Sequence, residues 1–309
     1  MGAAAILGAP MRVVARNLIL ASFLTSVYVQ AELHYLIVGG LGGQASYEDR
    51  FSAQTEALAD AARRTLGEES RVAILSGDAA SRNALTAELI RLAEETGPED
   101  SVAIFLLGHG SFDGELYKYN LPGPDIDGGT LAVLLGNIPA GKQLVVNATS
   151  ASGAVLESWA DDRRMLITAT RSGGERNAPR FGAHWVEAMS SEEADENKNG
   201  AITAHEAFAF AEREVADSYE SAGTLATEHP QLVGDIDGVF NVALLEARLA
   251  TTAELEILIG ELGILEESVD ELRARRESMG NDAYLAELQE LLLELALVQR
   301  EIDEIRSAE

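Results

Sequence analysis

Short apolar runs alternate with longer stretches of helical spacing through the first two-thirds of the chain. His34–Val38, Arg71–Leu75, Ser101–Leu107, Gln143–Val146 and Met165–Ala169 are near-continuous apolar runs, several rich in β-branched residues, and predict buried strands. Between them, apolar positions at three-four spacing predict helices over 47–66, 84–95 and, more briefly, 130–135. Strands that read as apolar on both faces, alternating with helices, predict a mainly parallel sheet with helices on both faces, an α/β fold. The stretch NLPGPDIDGG at 120–129 reads as a loop. Two further helices, over 181–189 and 205–219, flank an acidic, asparagine-rich loop.

The pattern changes near Thr251. Leu255, Leu258, Leu262, Leu265, Val269, Leu272 and Met279 form one seam, and Tyr284, Leu288, Leu291, Leu295, Val298, Ile302 and Ile305 a second. Both advance by the three-four step of a heptad, with Gly280-Asn281-Asp282 as the break. This predicts a C-terminal α-helical hairpin, an antiparallel coiled coil, over 248–309. Its function is either to pack on its own domain or to serve as an arm for docking or homo-oligomer formation.

Charge and cysteine usage narrow the functional classes. The 309 residues carry a formal net charge of −28, which repels nucleic acid and anionic lipid headgroups and suits a cation or a basic partner. There is no cysteine, so thiolate catalysis and zinc–thiolate sites are excluded. Residues 1–31 read as a secretory signal: Arg12 and Arg16 precede the apolar run Leu18–Val29, and Val29-Gln-Ala31 fits a small-x-small cleavage site. The alternative is an uncleaved anchor. The mature form is therefore expected to be exported, periplasmic or extracellular, and not inserted in a membrane.

Candidate chemistry gathers where strands end. His109 follows the strand 101–107 between two glycines, at the edge where open parallel sheets bind ligands. Asn147 to Val155, NATSASGAV, is a small-residue turn after the next strand and offers Thr149, Ser150 and Ser152. If the two strands are neighbours, His109 and Ser150 face each other, a minimal pairing for nucleophilic catalysis, with the backbone N–H groups of Gly110 and Ser150 as oxyanion donors. Arg171, Arg176 and Arg180 follow the last of these strands and form a candidate substrate-binding set for a carboxylate, or else pair with nearby glutamates.

These motifs resemble the caspase/legumain clan of cysteine peptidases, and its legumain-like (C13) branch more closely. GHGSFDG at 108–114, the turn Thr149-Ser150-Ala151-Ser152-Gly153, VGGLGGQASYEDRF at 38–51 and TATRSGGERNAPRFGAHWVEAM at 168–189 carry the resemblance, which spans roughly residues 33–240. It implies a caspase-like α/β domain over 32–247 and a His/Cys dyad, with His109 as the histidine. The cysteine position is occupied by Ser150, and the asparagine that helps orient the histidine in legumains is matched by Gly42. The two departures imply an inactive homologue that binds peptides or protein partners; the alternative is an active hydrolase with a Ser150–His109 dyad.

A separate motif lies at Asp195–Glu206, DENKNGAITAHE. Asp195, Asn197 and Asn199 stand at loop positions one, three and five, Gly200 at six, Ala201 at seven, Thr203 at nine and Glu206 at twelve. That spacing directs alternate oxygens inward and closes with a bidentate carboxylate, the arrangement of an EF-hand calcium loop. The expected cofactor is Ca2+; the bland reading is an Asp/Asn turn between helices.

Overall fold

The computed structural model describes residues 31–67, 69–234, 236, 239–245 and 253–308. The signal-type segment lies outside the described residues apart from Ala31, as does the expected boundary between 247 and 248.

The central sheet follows from the apolar runs. β1 (Leu33–Gly39), β2 (Val72–Leu75), β3 (Ser101–Leu107), β7 (Lys142–Asn147) and β8 (Arg164–Thr168) are all parallel to their neighbours, in the order β8-β7-β3-β1-β2. An antiparallel edge strand, β10 (Gln231–Val233), pairs with β8. The mainly parallel α/β architecture is as the alternation of runs implied.

The sheet separates two cores. On one face β1, β3, β7 and β8 pack against α1 (Ala45–Leu66), α4 (Phe181–Ala188) and α5 (Ala204–Ser221), with Trp185, Phe181 and Phe105 fully buried. On the other face lie α2 (Arg82–Glu95) and α3 (Gly128–Gly136), with Trp159, Leu85 and Leu89. Local chemistry sets the helix ends. Ser81 and Asp127 cap α2 and α3 through their side chains, Gly67 terminates α1 at φ 68°, and Thr203 and Glu206 form a capping box on α5.

The stretch after β3 is more ordered than a loop. β4 (Gly110–Phe112), β5 (Tyr117–Tyr119) and β6 (Ile126–Asp127) form a small antiparallel sheet, in strands too short to show a period in sequence. Tyr119 ties it to the main sheet by donating to the Val38 and Leu107 carbonyls at 3.0 and 2.7 Å. A further pair, β9 (Ala201–Thr203) with β11 (Asn241–Leu244), is antiparallel.

Two long helices follow, α6 (Ala253–Ala274) and α7 (Asn281–Ala308). They share a core of their own, in which Leu255, Ile259 and Leu262 from the start of α6 meet Ile302 near the end of α7, with Leu258, Leu295, Val298 and Ile305 packed around it. Among the described residues no helix is long and apolar enough to cross a membrane.

Candidate functional site

β3 and β7 are adjacent, with Leu106 in register with Asn147 and the Ala148 N–H donating to the Leu106 carbonyl at 2.9 Å. The segments that follow them, Gly108–Gly110 and Ala148–Gly153, therefore leave the carboxyl edge of the sheet side by side. Gly110 shows how close they are: a β-carbon on it would lie 2.4 Å from the Ser150 carbonyl oxygen and 2.7 Å from Thr149 Oγ1. Only glycine fits this crossing.

The three hydroxyls of the turn have different fates. Thr149 is buried and bound to Asn147 Oδ1 at 2.8 Å and to Tyr117 Oη at 2.6 Å. Burial pushes the Tyr117 phenol up to about 12, so it stays protonated within this network. Ser152 is bound to Thr170. Ser150 is also buried, at 2% exposure, yet among the described residues its hydroxyl alone of the three makes no hydrogen bond. The turn is held in shape from behind: Ala151 takes a left-handed φ of 57°, its N–H donates to the Glu175 carbonyl at 2.8 Å, and a β-carbon on Gly153 would come within 2.2 Å of Ser172 N.

His109 is positioned by aromatic side chains. Its ring meets Tyr47 edge-on at 4.6 Å and Phe51 at 5.2 Å between centroids, both from the first two turns of α1. Its carbonyl accepts from Asn120 N–H at 3.0 Å. Arg50, between the two aromatics in sequence, lays its guanidinium over them at 4.7 and 5.2 Å. Burial, then the Arg50 charge, hold the His109 pKa below the usual histidine value, against a backbone hydrogen bond at Gly42 that raises it. The imidazole is thus neutral near pH 7. Among the described residues no hydrogen bond joins it to Ser150.

Gly42 lies beside His109, but no side chain can replace its backbone contact. Its N–H donates to Glu48 Oε2 at 2.8 Å, and a β-carbon there would come within 2.5 Å of Glu48 N.

The arginines do not form one cluster. Arg180 donates to the Ser218 carbonyl at 2.8 Å and stacks over Tyr219 at 4.0 Å, which commits it to the end of α5. Its backbone N–H and that of Phe181 bind the carboxylate of Glu228, buried at 2% exposure; burial raises the pKa of that carboxyl. Arg171 is paired with Glu175 at 3.0 Å, and Glu175 also contacts His229 Nδ1 at 2.6 Å. Arg176 is exposed.

The loop at 195–206 is compact. Asp195 accepts from Asn199 N–H (3.1 Å) and Gly200 N–H (2.7 Å), Asn197 Oδ1 accepts from Asn199 N–H, and Asn199 Oδ1 accepts from Ala201 N–H. Lys198 and Gly200 supply the two left-handed residues, φ 58° and 77°, that turn the chain back on itself. Asp195, Asn199 and Glu206 are all buried. Glu206 Oε2 accepts from the Thr203 N–H and hydroxyl at 2.9 and 2.8 Å. Burial, with the Asp195 charge adding to it, raises the Glu206 pKa. Among the described residues no group of three or more His, Cys, Asp or Glu side chains is gathered as for a metal; the loop's other oxygens are amide, carbonyl and hydroxyl.

Tyr47, Phe51, Arg50 and Tyr117 were not singled out from sequence. The aromatic pair at i, i+4 beginning a helix opposite a strand-end histidine is the signal that could have found the first two. Nothing local marks Tyr117.

No family model and no curated protein matches the chain. Among solved structures it is similar to a protein from Geobacter sulfurreducens at 14% identity and a TM-score of 0.46, covering 67% of this chain and 95% of that one. It is also similar to the Drosophila initiator caspase Dronc at 9% identity and a TM-score of 0.40, covering 70% of this chain and 82% of that one.

Proposed function

We propose that this is an exported, calcium-binding protein of the caspase/legumain type that holds a peptide or protein partner at the His109–Ser150 edge without cleaving it. The observation that carries the reading is the state of Ser150. It stands where the resembling family has its sulfur nucleophile, on the strand-end segment next to the one that carries His109, yet no hydrogen bond connects its hydroxyl to that histidine. A serine hydroxyl is a weak nucleophile unless a base is hydrogen-bonded to it, and His109 is clamped by Tyr47 and Phe51 instead. The second reading, a serine hydrolase, is favoured by the neutrality of His109 and by the Ser150 hydroxyl being the uncommitted one of the three.

The loop residues fit a hard cation. Asp195, Asn197, Asn199, Thr203, Glu206 and the Ala201 carbonyl would supply oxygen ligands, and calcium bound there would neutralise two buried carboxylates and brace α5. The lone pairs now turned to backbone N–H groups leave further acceptor capacity on each carboxylate. Export suits the modest affinity of a loop with two neutral asparagines.

The deciding experiment is a peptidase screen of the chain as it stands, with Ser150→Ala and Ser150→Cys. The expected result is no cleavage by the first two and a gain of cleavage in Ser150→Cys, because a thiol is partly ionised at neutral pH and needs less help from the histidine than a serine hydroxyl does. Robust cleavage by the unaltered chain, lost in Ser150→Ala, would establish the hydrolase reading instead.

A further inference from the structure

We propose that the outer groove between α6 and α7 is a docking site for a basic amphipathic helix of a partner protein. The inference is independent of the reading given for the sheet edge. The groove, about 360 Å3, is lined by Ile264, Leu265, Leu297 and Val298, with Glu261 and Glu294 on its two sides. It borders the seam that joins the helices: Val298 packs around their shared core, and Ile264 and Leu297 extend the apolar surface outward from it. Ile264 is 65% exposed and Leu297 42%, and Ile257, two turns before Ile264 on the same helical face, is 65% exposed.

Two further features say what would fill it. The first is charge. Residues 253–308 hold 15 carboxylates and five arginines, and both lining carboxylates stand exposed beside the apolar floor. A second copy packed in this groove would bring Glu261 and Glu294 against their own equivalents. A helix carrying leucines on one face and lysines or arginines at its borders would cover the floor and meet the rim with opposite charge. The second is Gly260, on α6 one turn before Ile264. A mid-helix glycine costs about 0.5–1 kcal/mol relative to alanine, and among the described residues nothing beyond its own stretch of helix lies within 4 Å of where its β-carbon would be. Internal packing therefore gives no reason for glycine here. Close approach of another backbone does.

The test uses the full chain and a fluorescent leucine–lysine peptide about five helical turns long, with leucines at three-four spacing, read by anisotropy. A peptide of the same composition in permuted order is the control. Saturable binding is expected, weaker by about tenfold or more for the permuted peptide and for Ile264→Asp or Leu297→Asp. Both substituted residues are exposed, and circular dichroism checks that the helices persist. The double reversal Glu261→Lys, Glu294→Lys should weaken binding by a similar factor and flatten its salt dependence while leaving the apolar floor untouched. Equal binding of both peptides, or binding unchanged in these variants, would overturn the proposal. So would sedimentation showing that the chain dimerises alone and that Ile264→Asp separates the copies, since the occupant would then be a second copy.

Discussion

The α-carbon of Gly110 and the carbonyl oxygen of Ser150 approach so closely that a β-carbon on Gly110 would sit 2.4 Å from that oxygen. This contact joins the histidine segment to the serine turn. Gly110→Ala should force the two strand-end segments apart and destabilise the chain by about 1–3 kcal/mol, as overpacking does. Thermal melting checks it; an unchanged midpoint would mean that the turn yields freely.

His109 should titrate below the ordinary histidine range. Its pKa is lowered in the folded chain, so the folded state binds fewer protons there, and this group's contribution to stability is full above the unfolded value near 6.5 and is lost as pH falls from there through the lowered folded value. Removing the neighbouring cation in Arg50→Ala should raise the His109 pKa toward that value. Imidazole chemical shifts across a pH series measure both. A pKa unmoved by Arg50→Ala would assign the depression to burial alone.

Glu228 has the opposite sign. Its folded pKa is raised by burial, so its effect on stability is most favourable in the protonated form and worsens as pH climbs from the usual glutamate value through the raised one. Glu228→Gln keeps the shape but cannot ionise. The melting temperature of the variant minus that of the unaltered chain should therefore rise between pH 4 and 7. A difference that stays flat or falls would contradict the direction of the shift.

Calcium should raise the melting temperature. Binding to the folded loop alone stabilises by about 2.7 kcal/mol when free calcium is about a hundredfold above its Kd. Glu206→Gln removes the closing carboxylate and should abolish most of the effect. Titration calorimetry with no heat in millimolar calcium, and a midpoint indifferent to chelator, would leave 195–206 an ordinary turn with a capping box.

The paired helices should be dispensable to the α/β unit, because Leu255, Ile259, Leu262 and Ile302 form a core of their own. A chain ending before Ala253 is expected to keep a cooperative thermal transition. Within the helix pair, Leu262→Ala, at a fully buried position, should cost about 2–5 kcal/mol of the pair's stability. Loss of the α/β transition on truncation would show a shared core instead.

Much of this protein is written locally. Continuous apolar runs mark β3 and β7 because a parallel strand is covered on both faces, whatever its neighbours. His109 and Ser150 stand at strand ends by position alone, and the Asp195–Glu206 spacing is legible because that loop is a single contiguous segment. Those signals depend on residues close in sequence. What only the tertiary structure decided depends on residues that are not. That β3 lies next to β7 is a choice among sheet orders, made by packing over the whole domain. That Thr149 and Ser152 are committed while Ser150 is not was set by Tyr117 and Thr170, 32 and 18 residues from their partners. The arginines looked alike in sequence, but Arg180 belongs to α5 and Arg171 to Glu175, because an ion pair or a carbonyl contact is chosen by whatever the fold brings within reach of a long side chain. The strands β4, β5 and β6 were illegible for a simpler reason: two or three residues are too few to show a period, and their pairing is stabilised by Tyr119 anchored on the main sheet rather than by any pattern of their own.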